Sequence, residues 1–163
     1  DSNITIVFCA GNCEVLVGLD AMKRDSTIIT VSAVDKYNKR ASFTNYGKQS
    51  TISAPGVGIY SCEPGGGFIT HDGTSMSSPI IAGVVGLMKS IDPELKNTEI
   101  IEILRKSGEK LDPSIGALVQ ADKALELCLD KNIKQSNKLN KNIIRKEIKK
   151  LENKIKKLEK LLE

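Results

Sequence analysis

The chain of 163 residues has no tryptophan, one histidine and only 4% aromatic residues. The lone histidine, His71, is the sharpest restriction, because any imidazole chemistry within this sequence must use it. Scarce aromatics leave a core to be built from aliphatic side chains. With 40% hydrophobic and 27% charged residues, the composition excludes a collagenous, mucin-like or wholly disordered chain. The four cysteines, Cys9, Cys13, Cys62 and Cys128, do not read as a disulfide framework in a chain of this length. Cys9 and Cys13 have no second pair at metal-ligand spacing, so they are expected to act as small hydrophobes. The longest apolar run, residues 80–88, falls well short of the roughly 18 residues a membrane span needs. Asp1, Ser2 and Asn3 carry no basic segment leading into an apolar stretch, so no export signal is expected.

What is present is a chain of about one domain's length, able to bury about two-thirds of its unfolded surface. Its net charge of +4 is uneven: residues 131–163 hold 12 Lys and Arg against 4 Glu, and residues 1–130 are net −4. A mildly acidic body therefore carries a basic tail.

The body alternates strand-like and helix-like segments. Residues 4–10 and 27–34 are apolar runs rich in β-branched residues and predict buried strands. Short strands are expected near 51–53, 58–62 and 68–71, the last entered through Gly65, Gly66 and Gly67. Residues 75–89 predict a helix so apolar that it should be buried on most faces, with Pro79 in its first turn. Gly83 and Gly86 suggest that another element packs closely against it. Asn97 is a candidate cap for a second helix ending near Lys106, and residues 121–129 predict a third. Strands mixed with buried helices indicate an α/β layered body.

The tail follows other rules. Residues 131–142 are rich in Lys, Asn and Ser, consistent with a solvated linker or a weak helix. From Ile144 apolar residues recur at 148, 151, 155, 158 and 162, a heptad seam. Ile148, Ile155 and Leu162 share one core position, and Ile144, Leu151 and Leu158 the other, an arrangement suited to a weak parallel two-stranded coiled coil. In such a dimer Lys154 faces Glu159 favourably, whereas Glu147 faces Glu152 with like charge. A single helix folded onto the body is the alternative. The tail has no aromatic residue and its lysines occupy outer heptad positions, so it reads as a solvated face rather than a nucleic-acid or membrane surface.

Two segments carry chemistry. Gly73-Thr74-Ser75-Met76-Ser77-Ser78-Pro79 lies between a short strand and the apolar helix, which puts Ser75 at a helix N-terminus. A nucleophile there gains from the helix dipole and from unpaired backbone N–H groups, although a serine-rich cap fits the same spacing. Cys9-Ala10-Gly11-Asn12 ends the first strand. An asparagine delivered from a strand end can donate a hydrogen bond to a developing oxyanion, although Gly-Asn is also a common turn pair.

These segments, with Ala41-Ser42-Phe43-Thr44-Asn45-Tyr46-Gly47, Ala54-Pro55-Gly56-Val57 and residues 116–124, resemble the C-terminal half of a subtilisin-like serine protease over roughly residues 3–130. The resemblance implies a partial three-layer α/β fold with a parallel-sheet core and flanking helices. It implies Ser75 as nucleophile, and an oxyanion hole made of the Ser75 N–H and the Asn12 side chain. Cys9, Ala10 and Gly11 would line one wall of the specificity pocket, and the substrate would be a polypeptide. The resemblance also allows calcium, at no assigned site.

The departures are equally informative. In this family the triad runs Asp, His, Ser along the chain. Only eleven residues precede Asn12 here, and they hold Asp1 and no histidine. His71, four residues before Ser75, matches a strand that floors the site rather than the base. Ile80 stands where the family often has histidine, and the stretch after Asn12 lacks the usual proline-bearing loop. Without an imidazole nothing takes the Ser75 proton, and only residual catalysis of about 10³–10⁴ over water is expected. Two readings follow. In the first, this is the nucleophile-bearing part of an endopeptidase, completed by an N-terminal segment or partner chain that carries Asp and His. In the second, it is a catalytically silent protease-fold fragment that associates through its tail. Either way the sheet should present an uncovered apolar edge.

Overall fold

A computed structural model of the chain describes residues 4–17 and 27–162, with side chains as far as residue 150. Asp1, residues 18–26 and the heptad side chains from Leu151 onward, with Glu152, Lys154 and Glu159, lie outside the described residues. The chain forms two compact units, Asp1–Cys128 and Leu129–Glu163.

The first unit is built on a parallel sheet. Strand β1 (Val7–Cys9) pairs with β2 (Ile29–Val34), β2 with β3 (Ile52–Pro55), and β3 with the short β6 (Ala117–Leu118). The registers Cys9↔Val31 and Ala33↔Ala54 bring the C-terminal ends of β1, β2 and β3 to one edge of the sheet. All six residues of β2 are buried, as expected of a central parallel strand covered on both faces. Strand alternation then sorts its side chains. Ile29 and Val31 join Ile52 and Ala54 under helix α1 (Thr74–Ile91), helix α2 (Asn97–Ser107) and the start of α3 (Ala121–Leu162). Ser32, on the opposite face, bonds Asn45 and Ser50 in the loop layer. The expected α/β body with flanking helices is therefore present. An antiparallel hairpin, β4 (Ile59–Cys62) and β5 (Phe68–His71), precedes α1, with Tyr60 and Phe68 stacked at 5.2 Å on its exposed surface.

Several local expectations need correction. Helix α1 buries one face, through Ile81, Val84, Val85 and Met88, and not most of its surface. Leu87 is 52% exposed, and no atom packs where side chains on Gly83 and Gly86 would sit. The helix begins at Thr74, so Pro79 lies inside it and removes the N–H that would bond the Ser75 carbonyl. Asn97 is the first helical residue rather than the cap. Its side chain accepts from Thr5 Oγ1 at 2.5 Å and donates to the Ile4 carbonyl at 2.8 Å, while Glu99 accepts the Lys96 N–H. Ile4 and Ile6, which lead into β1, are 67% and 50% exposed.

Helix α3 runs unbroken through residues 131–142. It contains no proline or glycine, and its Lys, Leu and Glu residues favour helix. Ile144 and Ile148, the first two heptad positions, are at least half exposed. Among the described residues no helix is long and apolar enough to cross a membrane.

Candidate active site

Strand β1 ends at Cys9, and the chain leaves the sheet through Ala10 and Gly11 to bring Asn12 to the N-terminus of α1. Ala10 is fully buried and its N–H donates to the Val31 carbonyl at 2.8 Å, which continues the sheet register beyond the strand. Of the three residues expected along a pocket wall, Cys9 and Gly11 are partly open, and Ala10 offers position rather than surface.

Asn12 and Thr74 form a closed hydrogen-bond unit. Asn12 Oδ1 accepts the Thr74 backbone N–H at 3.0 Å and the Thr74 hydroxyl at 2.8 Å. Thr74 Oγ1 in turn accepts the Gly11 N–H at 3.2 Å. The hydroxyl has one proton to give, so this arrangement commits it to Asn12. With both donors on its oxygen, the Asn12 amide has a fixed orientation, and its NH₂ faces away from Thr74. Asn12 thus caps α1 from a distant part of the chain, where Gly73 supplies no side chain.

Ser75 is the second residue of the helix and is exposed. Its backbone N–H has no partner among the described residues, as expected in the first turn of a helix, whereas Thr74 N–H goes to Asn12 and Met76 N–H to the Gly73 carbonyl. Asn12 Nδ2 and Ser75 N lie 3.3 and 3.7 Å from the point where a side chain on Gly73 would begin. Two donors with no partner among the described residues therefore border one small space at Gly73, with Met76 Sδ at 3.5 Å on the same space. The first turn of α1 contains no acidic residue. Asp72, just before it, spends a carboxylate oxygen on the Gly58 N–H at 2.6 Å.

Below the exposed serine the helix is pinned to the sheet. The buried Ser77 hydroxyl lies 3.1 Å from the carbonyls of both Ala54 and Pro55, at the end of β3. Thr74 and Ser77 carry no chemistry that the sequence alone singles out, although both stand in the Ser75 segment. Their one signal was spacing, since residues on either side of an exposed helical serine face the sheet.

Ser75 Oγ has no hydrogen-bond partner among the described residues, and His71 is exposed at the end of β5, where its register partner is Ile59. None of the four cysteines is in a disulfide. Among the described residues no three His, Cys, Asp or Glu side chains converge in a manner suited to a metal ion. A roughly 500 Å³ cavity between Lys48, Arg105, Lys110 and Asp112 is separate from Ser75 and Asn12.

A parallel α/β sheet thus feeds an asparagine to the start of a serine-bearing helix. The subtilase family profile matches residues 1–145, and the chain belongs to that family of serine proteases. A thermostable alkaline protease from Halalkalibacterium halodurans is 36% identical over 129 residues, covering 77% of this chain and 36% of that protein. Subtilisin DY from Bacillus licheniformis is 36% identical over 118 residues, covering 69% of this chain and 42% of the relative. A cold adapted subtilisin-like serine proteinase of known structure superposes with a TM-score of 0.64 at 28% identity, covering 69% of this chain and 43% of its own. The chain spans less than half the length of these relatives.

Proposed function

We propose that the protein is a serine endopeptidase in which Ser75 forms an acyl-enzyme with the peptide substrate. The observation that carries this reading is the pair of unpaired donors, Asn12 Nδ2 and Ser75 N–H, bordering one space beside the serine. Ser75 Oγ attacks the scissile carbonyl carbon, a C–O bond forms, and the carbonyl oxygen takes the negative charge into that space. Collapse breaks the C–N bond and releases the amine, which leaves with a proton. Water then adds to the ester, and the acid product departs as Ser75 regains its proton.

The proton acceptor is a histidine outside this sequence, oriented by an aspartate also outside it, on a preceding segment or a separate chain. The open apolar surface supports this reading: Ile4 and Ile6 beside β1, and Leu87 on the outer side of α1, give such a segment something to cover. The catalytically silent alternative draws support from the unpartnered Ser75 hydroxyl, which is a weak nucleophile as it stands. In the endopeptidase reading Cys9, Ala10 and Gly11 form one wall of the pocket for the substrate side chain.

The test is hydrolysis of peptide p-nitroanilides by the full-length protein, or by this chain together with a subtilase N-terminal half. Hydrolysis that disappears with Ser75→Ala supports the endopeptidase. Equal rates for parent and Ser75→Ala proteins would leave the silent reading.

A further inference from the structure

We propose that Asn45 is the positioning residue for Asn12, holding the segment on both sides of it so that the Asn12 amide points into the oxyanion space; the proposal rests on the role given to Asn12 above. Asn45 is 2% exposed and lies in the loop between β2 and β3, yet its backbone N–H and both ends of its side-chain amide bond residues 10–15. Its backbone N–H donates to the Gly11 carbonyl at 2.8 Å, and Nδ2 donates to the Ala10 carbonyl at 3.1 Å. Its Oδ1 accepts the N–H of Cys13 at 3.0 Å and of Val15 at 3.2 Å. Four bonds thus straddle Asn12, two before it and two after it, and none touches Asn12 itself.

This chemistry requires an amide. One end must donate to a carbonyl while the other accepts from two N–H groups, and asparagine is the shortest side chain that does both. The loop side of Asn45 is equally fixed, since its carbonyl accepts from Ser32 Oγ at 3.0 Å and Thr44 Oγ1 at 3.2 Å. Ser32 belongs to β2, so the clamp ties the Asn12 segment to the central sheet. Gly11 fits the same device: its φ is +106°, and a side chain there would start 2.4 Å from Asn45 Nδ2. The segment itself has no regular secondary structure, and Glu14 holds φ at +57° within it. Its shape is therefore imposed by the bonds it receives. Asn12 then has two supports: Thr74 orients its amide and accepts the Gly11 N–H, and Asn45 holds the backbone on both sides of it.

The experiment uses the full-length protein with Asn45→Ala and Asn45→Asp, and Ser53→Ala as a control of similar burial away from the segment. Amide hydrogen exchange at Cys13 and Val15 is read first, because it needs no catalysis. Asn45→Ala is expected to speed both by about tenfold or more, whereas Asn45→Asp retains their acceptor and is expected to speed them less. The second reading is peptide hydrolysis. Asn45→Ala should lower kcat by about 10- to 100-fold with KM little changed, and should cause little further loss when Asn12→Ala is already present. Ser53→Ala should leave kcat near the parent value. Unchanged exchange at Cys13 and Val15 would overturn the clamp, and so would losses in Asn45→Ala and Asn12→Ala that simply multiply. A parent protein whose Ser75 fails to react with a fluorophosphonate would count against the peptidase reading alone, with the exchange measurement still deciding the clamp.

Discussion

Thr74 gives both of its protons to one atom: its backbone N–H and its hydroxyl meet Oδ1 of Asn12 at 3.0 and 2.8 Å. In the endopeptidase proposed above, the amide that donates to the oxyanion is oriented by what its other end accepts. Thr74→Val keeps the shape and the backbone bond but loses the hydroxyl. We expect a kcat loss of about 3- to 10-fold, the scale of one neutral hydrogen bond, with KM little changed. Asn12→Ala should cost more, about 10²–10³ in kcat, a magnitude that comes from subtilisin itself and is carried over to this relative. Steady-state kinetics on the full-length protein checks both, and equal losses would remove Thr74 from the orienting role.

Gly73 keeps the space between the two donors empty. A side chain there would begin 3.3 Å from Asn12 Nδ2 and 3.7 Å from Ser75 N, on a backbone with φ of +152°. Gly73→Ala is expected to lower kcat by more than Thr74→Val does, and to reduce stability by about 1 kcal/mol through backbone strain. Chemical denaturation separates the two effects, since the kinetic loss should persist where the variant is fully folded.

Most of this site could be read in the sequence, for a physical reason. Strand β2 and helices α1 and α2 announce themselves through local apolar patterns, and Ser75 and Asn12 stand where such elements end. What could not be read locally depends on distant partners. Thr74, Ser77 and Asn45 act through bonds to residues 22 to 63 positions away, and no local pattern identifies those partners. Strand β6, two residues long, owes its existence to pairing with β3. Helix α1 misled in the opposite direction. Its apolar outer residues predict burial on most faces, but the described part of this chain covers only one.

Ser77 tests how α1 is held. Its buried hydroxyl serves the carbonyls of Ala54 and Pro55, and Ser77→Ala should cost about 1–3 kcal/mol by leaving them poorly satisfied. Urea unfolding should show a lower midpoint with an unchanged slope. An unchanged midpoint would mean that the helix is anchored by its apolar contacts alone.

Asp112 gives a pH signature far from the serine. The Ser114 hydroxyl at 2.7 Å is the main cause that lowers its carboxyl below the ordinary aspartate range, with the Ser114 N–H at 2.8 Å and the charge of Arg40 assisting against partial burial. A carboxyl lowered on folding adds stability above its unfolded value of about 3.9, and that increment fades as pH falls through the folded value. Asp112→Asn should therefore narrow the stability difference between pH 6 and acid, with its largest effect above about pH 4. Denaturation midpoints across pH check this, and identical pH profiles for both proteins would contradict it.

The tail is expected to self-associate weakly through its heptad positions, because fewer than three heptads are present from Ile144 onward. Sedimentation of residues 131–163 should show concentration-dependent dimerisation at high concentration. A monomer at every concentration would remove the coiled coil and leave a solvated helix.

Fluorophosphonate labelling tests the nucleophile most directly, since the reagent reports an activated serine. The full-length protein, or this chain paired with a subtilase N-terminal half that supplies His and Asp, should gain one phosphonyl group, located at Ser75 by peptide mapping and lost in Ser75→Ala. Absence of labelling in both forms, with the protein folded, would contradict the account.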